Sequence, residues 1–399
     1  MERINNKRLK ISLLTGGQDI HYSLGLLSGL VLKDIYIEFI GNDLMRNADV
    51  TKSPNVNFFN LRGDQNPKAP MRKKIIRVLK YYFKLIKYAA VTDSKVFHIL
   101  WLNKFIYFDR TLLNIYYKML GKKLIFTAHD INFRKLVGKD TIINRLTLKF
   151  LYKIVDHIIV HNEKMKSELI NDFKIEGNKI SIIPFGINEV IPNSNLTREE
   201  ARRKLNLEEH EKVILFFGNI APYKGLDQLI EALKYLKERN IKLLIAGRIK
   251  HGCHEYWENV EKMVLKHDLE KYIIKKIEYI PEEEAEIYFK SADVLIMPYK
   301  YIFQSGVIFT AYHFGLPVIA TDVGAIKEDI IEGKTGFVCK ANDPEDLSKK
   351  ITFFYESDIY NNFENYRNQI IEYAKKKYSW EIAGEKNYQV YKRIVENLN

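Results

Sequence analysis

Three short stretches of this chain place polar or cationic side chains where a parallel sheet would present them to a ligand. In the first, an apolar run ending in Thr127-Ala128 delivers His129, followed by Asp130. An imidazole titrates near neutrality, so a His at the carboxyl end of a strand can exchange a proton or hydrogen-bond a ligand, although position alone admits a structural histidine equally well. In the second, the strand Val213–Gly218 leads through Asn219-Ile220-Ala221-Pro222 to Tyr223-Lys224-Gly225 and a helix. Lys224 therefore stands at a helix entrance, where an ammonium can neutralise a phosphate. In the third, Gln304-Ser305-Gly306-Val307 opens a helix after the loop that follows the strand Asp293–Met297. Unpaired N–H groups and the positive end of the helix dipole make such a terminus an anion site. Gly306 keeps side-chain bulk off that backbone, and Ser305 adds a hydroxyl as cap or donor. A plain Ser N-cap before a packed helix explains the same pattern.

The elements that would position these residues are legible as short apolar runs. ISLL, IYIEFIG, VFHILWL, KLIFTAHD, HIIVHN and ISIIPFG read as strands separated by amphipathic segments. This alternation predicts α/β architecture with doubly wound parallel sheets, whose ligands sit beyond the carboxyl ends of the strands. After the first run, Gly16 and Gly17 would let a substrate approach the backbone; a tight strand-to-helix turn with no ligand explains the pair equally well. The stretch is not a G-x-G-x-x-G fingerprint, so no dinucleotide is implied. His98, within VFHILW, follows the logic of His129 more weakly, or only packs between domains.

A chain of 399 residues with 46% hydrophobic content predicts two or three domains with real cores. Its two cysteines, Cys253 and Cys339, fit a reducing compartment. The apolar stretch near the N-terminus is too short for a signal peptide, and no apolar run approaches the ~20 residues of a membrane span. The expected location is cytoplasmic, soluble or peripheral on the inner face of the membrane. No D-x-D motif and no His/Cys cluster with ligand spacing occurs, so no metal is expected.

The net charge of +13 is unevenly distributed: residues 1–190 carry 32 Lys+Arg against 17 Asp+Glu, and the remainder 31 against 33. Such asymmetry points to a polyanionic partner of the N-terminal half, either membrane phosphates or nucleic acid. The segment Met71–Tyr88 is basic and amphipathic, with Ile75, Ile76, Leu79, Tyr82, Phe83 and Ile86 on one predicted side. It reads as a solvated surface helix or as an interfacial helix on anionic lipid. No nucleic-acid-binding module accompanies the charge, so nucleic acid is not the expected partner.

The succession ADVLIMPY, Ser-Gly, helix, GLPVIATDVG and Glu328 resembles the C-terminal domain of the family-4 glycosyltransferases, retaining GT-B enzymes that use nucleotide-diphosphate sugars. The resemblance covers almost the whole chain. It implies two Rossmann-like doubly wound domains facing a cleft, with 1–190 on the acceptor side and 191–378 binding the nucleotide sugar. Residues 379–399 would form a terminal helix crossing back to the first domain. It further implies that Lys224, Ser305, Gly306 and Val307 hold the donor diphosphate, with His129 on the transferred sugar and the Gly16-Gly17 loop bordering the cleft. His129 and Lys224 are thus the expected catalytic residues. Tyr279 lies where relatives approach the base. Asn219 stands where the family's GR…P-x-KG pattern has Arg, and Arg248 is a replacement candidate by position. Ile302 and Thr310 stand where the family has its E-x7-E pair, leaving Thr310 one hydroxyl for the ribose. The implied reaction moves a sugar to a hydroxyl acceptor, such as a lipid-linked or growing glycan in surface-polysaccharide synthesis, without a separate cofactor. A GT-B nucleotide-sugar epimerase, or a catalytically silent nucleotide- or membrane-binding partner, is the alternative.

Overall fold

The computed structural model describes residues 8–17, 19–136, 138–187, 193–302 and 305–396. Gln304, Asn188 and the first residues of the expected linker, 189–192, lie outside them. The chain divides into two compact units: one runs to Gly186 and takes the chain back from Ser379, and the other spans Ile187–Tyr378.

The first unit is built on a parallel sheet of seven strands among the described residues. They are β1 (Leu9–Leu14), β2 (Ile35–Gly41), β3 (Val56–Asn60), β4 (Val96–Ile99), β5 (Lys123–Thr127), β6 (His157–Val160) and β7 (Ile180–Ile182), in the order β3-β2-β1-β4-β5-β6-β7. β1, β4 and β6 are apolar and largely buried, as central parallel strands covered by helices on both faces must be. The sequence of runs misses β3, so the strand before His129 is the fifth and not the fourth. VNFFN is a half-exposed edge strand with two asparagines, and its signal is correspondingly weak.

The second unit repeats the plan with β8 (Lys212–Phe217), β9 (Ile241–Ala246), β10 (Ile273–Lys276), β11 (Val294–Met297), β12 (Val318–Thr321) and β13 (Gly336–Cys339). Their order is β10-β9-β8-β11-β12-β13, and every pairing is parallel. In each sheet the chain reverses its direction of winding once, between β1 and β4 and between β8 and β11. Loops leaving the carboxyl ends of such a strand pair diverge and open a crevice.

A capping box opens the helix Arg198–Lys204, with Glu200 N–H donating to Thr197 Oγ1 at 3.2 Å and Thr197 N–H to Glu200 Oε2 at 2.9 Å. Arg202 of this helix is buried, pairs with Asp293 at 3.0 Å and caps three carbonyls of 208–211, which fixes the helix to the amino end of the sheet.

The last helix, Trp380–Glu396, belongs to the first unit and packs along α1 (Ile20–Val31). Gly29 and Gly384 touch backbone to backbone, so a Cβ on either would overlap the other helix. The Trp380 indole fills space that side chains at Gly25 and Gly186 would need. His98 lies inside this unit: fully buried in β4, it bonds Tyr391 Oη and Thr127 Oγ1, each at 2.7 Å. Its strand position points it into the core of the first unit, against the last helix.

The basic helix α2 (Met71–Val91) also differs from its sequence reading. Tyr81, Tyr82, Leu85, Tyr88 and Ala89 face the core. Of the six residues assigned to the apolar side only Tyr82 is buried, and Ile75, Ile76, Leu79, Phe83 and Ile86 are exposed. The tyrosines win the interior because their hydroxyls are satisfied there, by Asn103, Asp109 and Glu38. No helix among the described residues is long and apolar enough to cross a membrane.

Candidate functional site

In the second unit the switch point between β8 and β11 brings together the residues singled out from sequence. Lys224 ends a short turn, Pro222–Lys224, held by Gly225 at φ 66°. Gly225 is required there because a Cβ would overlap the Pro298 carbonyl on the neighbouring loop. The Lys224 side chain is buried, and its Nζ donates to Tyr299 Oη at 2.6 Å while lying 4.5 Å from that ring's centre. Tyr299 Oη is 3.3 Å from Ser305 Oγ, which accepts from the Val307 N–H at 3.4 Å as the N-cap of the helix Gly306–His313.

An ammonium, a phenol and a serine hydroxyl thus form a continuous line to a helix N-terminus. Gly218, at φ 103°, lies between them: a Cβ there would sit 3.7 Å from Lys224 Nζ and 3.9 Å from the Val307 side chain. Among the described residues nothing lies within 4 Å of where a Gly306 Cβ would be, at the first position of the helix. Among the described residues Lys224 has no carboxylate partner. Its charge is balanced only by dipoles, an arrangement suited to receiving an anion.

The loops after β8 and β9 continue the sheet beyond its strands through an Ile220–Ile249 bridge. This aligns Asn219 with Arg248, whose Nε donates to Asn219 Oδ1 at 3.2 Å. The Arg248 guanidinium lies 5.5 Å from the centre of the exposed Tyr279 ring, so three of the predicted residues form one contiguous patch. Thr310 is buried and its hydroxyl donates to Gly306 O at 3.3 Å, satisfied within its own helix. Ile302 is half-buried and apolar. Tyr299 was not singled out in the sequence. Its one signal is its place directly after the β11 run, two residues beyond Met297.

In the first unit, Gly16 and Gly17 leave β1 with φ of 61° and 67°. Both conformations favour glycine, and neither position has room for a Cβ, since Trp101 closes over one and Arg62 over the other. His129 leaves β5 stacked on Trp101, with ring centres 3.9 Å apart and planes within 5°. Its Nδ1 is 3.0 Å from Nε2 of His161, whose Nδ1 lies 2.9 Å from Ile183 O.

A carbonyl can only accept, so His161 carries its proton on Nδ1 and offers the Nε2 lone pair. His129 then donates from Nδ1; its Nε2 is buried and unbonded among the described residues, with the Leu100 backbone also lying against the ring. Burial pushes His129 well below the ordinary imidazole range and His161 down to about 4, so both rings are neutral. His129 borders a pocket of about 240 Å³ shared with Trp101, Arg110, Thr127 and Asp130. His161 also escaped the sequence reading, although it follows the β6 run as His129 follows β5.

These neutral rings predict an acid sensitivity confined to the first unit. Burial lowers His98 to about 3 and His157 to about 4, alongside His129 and His161. The unfolded chain takes up these protons near pH 6.5, whereas the folded unit resists them down to about 4 or below. Their stabilisation is therefore complete above that unfolded value and lost as pH falls from it toward 4. Each imidazole is expected to cost on the order of 1–2 kcal/mol at about pH 5. Asp109, pushed up to about 6 by burial, and Glu168, also raised by burial, act in the opposite direction, but they are two groups against four. Urea midpoints read by hydrogen exchange in β1–β7 should be flat above pH 7 and fall steeply below pH 6; a flat profile to pH 4.5 would refute it.

Residues 197–377 match the family described as glycosyl transferases group 1, and residues 48–191 the one described as glycosyltransferase family 4. Among curated proteins, the chain is 28% identical over 250 residues to an uncharacterized glycosyltransferase of Methanocaldococcus jannaschii, covering 60% of this chain and 61% of that one. It is 28% identical over 196 residues to a D-inositol 3-phosphate glycosyltransferase of Corynebacterium efficiens, covering 47% of this chain and 46% of that one. The chain thus spans less than two thirds of either relative. Among solved structures, sucrose-phosphate synthase from Thermosynechococcus elongatus superposes with a TM-score of 0.76 at 19% identity, covering 98% of this chain and 100% of that one. Anabaena HepE in complex with UDP and glucose gives 0.70 at 14% identity, covering 96% and 99%. Sequence matches on both halves and a shared two-sheet architecture converge: the chain belongs to the family-4 glycosyltransferases and has the GT-B fold.

Proposed function

We propose that the protein transfers a sugar from a nucleoside diphosphate sugar to a hydroxyl acceptor with retention of anomeric configuration. The observation that carries this reading is the line Lys224–Tyr299–Ser305 running to the open helix N-terminus at the β8/β11 switch point. There the donor diphosphate receives backbone N–H groups from Gly306 and Val307, the Ser305 hydroxyl and the Lys224 ammonium. As the bond between the anomeric carbon and the phosphate oxygen breaks, its electron pair leaves with the phosphate, and Lys224 stabilises that charge. The acceptor oxygen forms the new C–O bond and its proton passes to the leaving phosphate, so neither a metal nor a further cofactor is needed.

Arg248 and Asn219 provide the outer edge of the diphosphate site and Tyr279 an aromatic face for the base. His129, a neutral imidazole bordering the pocket at the end of β5, meets the transferred sugar in this reading. The complexes of HepE with UDP and with UDP-glucose support this class of donor. The acceptor in this reading is a lipid-linked or growing glycan in surface-polysaccharide synthesis. The enzyme works at the cytoplasmic face of the membrane, where the exposed Ile75, Ile76, Leu79 and Phe83 of the basic helix enter the headgroup layer. A thermal-shift screen with UDP, GDP, ADP and their sugars tests the proposal. One nucleotide series should raise the melting midpoint, and none doing so would reject it.

A further inference from the structure

The first unit contains a second concentration of cationic groups that the donor site does not use. Arg62 follows β3, Lys104 follows β4, and Lys74 and Arg77 lie three residues apart on α2; together they line a pocket of about 310 Å³. Among the described residues two acids stand against the four cations: the exposed Asp64, 3.3 Å from Arg77, and the buried Asp109, whose carboxyl acts on Arg62. The side chains of Lys74 and Lys104 have no ionic or hydrogen-bond partner among the described residues. Like charges gathered in a concavity repel one another and lose solvation, a cost that a bound anion removes.

Arg62 is not a free surface cation. It is 8% exposed, its Nη1 donates to Gly16 O and to Asn103 Oδ1 at 3.3 Å, and its guanidinium lies 4.6 Å over the Tyr81 ring. The Tyr81 hydroxyl donates to the same Asn103 Oδ1 at 2.7 Å, so the arginine is fixed before any ligand arrives. Because Arg62 also occupies the space a Gly17 side chain would fill, the pocket abuts the loop at the β1/β4 switch point.

We infer that this pocket, formed by Arg62, Lys74, Arg77 and Lys104 beside the Gly16-Gly17 loop, binds a phosphate or pyrophosphate group carried by the acceptor. The inference rests on the transferase reading for the word acceptor, but the site itself is independent of Lys224. Four cations suit a multiply charged group better than a single carboxylate, and the guanidinium fork matches phosphate oxygens. A lipid surface alone would not call for a buried, preset arginine. The exposed apolar stripe on the same helix as Lys74 and Arg77 would accommodate a hydrocarbon tail attached to that phosphate.

The test is calorimetric titration of the full chain with inorganic pyrophosphate and with farnesyl diphosphate. It uses wild type, the double variant Lys74→Gln/Lys104→Gln, and Lys224→Ala. Wild type should bind two pyrophosphates per chain. The double variant should weaken one of them by about tenfold or more while the nucleotide response stays intact. Lys224→Ala should do the reverse, so loss of the donor reading and loss of this one give different patterns. Binding of farnesyl diphosphate at the same site would show that the phosphate can be lipid-borne; binding of pyrophosphate alone would still support the pocket. An unchanged pyrophosphate isotherm in the double variant overturns the inference. So does a defect seen only in sedimentation with phosphatidylglycerol vesicles, because the cations would then serve the membrane.

Discussion

Replacing Lys224 with Met is expected to cut sugar transfer by about 100-fold or more while leaving the protein at least as stable as before. Both halves of this expectation come from one geometry. Lys224 is 6% exposed, and its ammonium is met by the Tyr299 hydroxyl and ring, without a carboxylate among the described residues. A buried charge so held is a cost to folding, which a methionine of similar length removes. The same charge is what a departing diphosphate needs, so activity and stability should move in opposite directions. Steady-state rates and urea midpoints on the two proteins decide it. Loss of both together would make Lys224 a packing residue, and an unchanged rate would remove it from the chemistry. Tyr299→Phe keeps the ring and deletes the hydroxyl bridge, and a smaller loss of about tenfold is expected.

Trp380→Ala should destabilise the first unit by about 3–5 kcal/mol. Its indole is 6% exposed, meets Tyr22 edge-on with ring centres 5.3 Å apart, and occupies the slots left by Gly25 and Gly186. At Gly25 and Gly186 there is no side chain to fill the vacated volume, so relaxation is left to the rings of Tyr22 and Phe185 on its other sides. The two units need not unfold together, so the measurement is hydrogen exchange resolved by segment. Protection should drop in β1–β7 and α1 and remain in β8–β13. A uniform loss, or none, would contradict the packing described.

The periodicity of this chain was sufficient for the parallel α/β plan because buried parallel strands are continuous apolar runs, as ISLL and HIIVHN are. It was insufficient for β3, where two asparagines and partial exposure blur the run. On α2 the apolar side was misassigned for a physical reason: tyrosine ranks as half-polar in sequence, yet Tyr81, Tyr82 and Tyr88 are buried once their hydroxyls find partners. Within the candidate site, the spacing of Asn219, Lys224 and Ser305 relative to their strands announced which loops to inspect. The residues that orient them, Tyr299 for Lys224 and His161 for His129, carry no motif. Each is defined by one hydrogen bond between side chains that are 75 and 32 residues apart in the chain.

The return of the last helix to α1 has a consequence for synthesis. The second unit is one uninterrupted segment, Ile187–Tyr378, and can close its core without any later part of the chain. The first unit, although translated earlier, leaves the Gly25 and Gly29 face of α1 uncovered until Trp380 and Gly384 emerge. The part of the enzyme made first is thus completed last. A premature stop after Tyr378 would spare the segment it follows and cripple the one made long before.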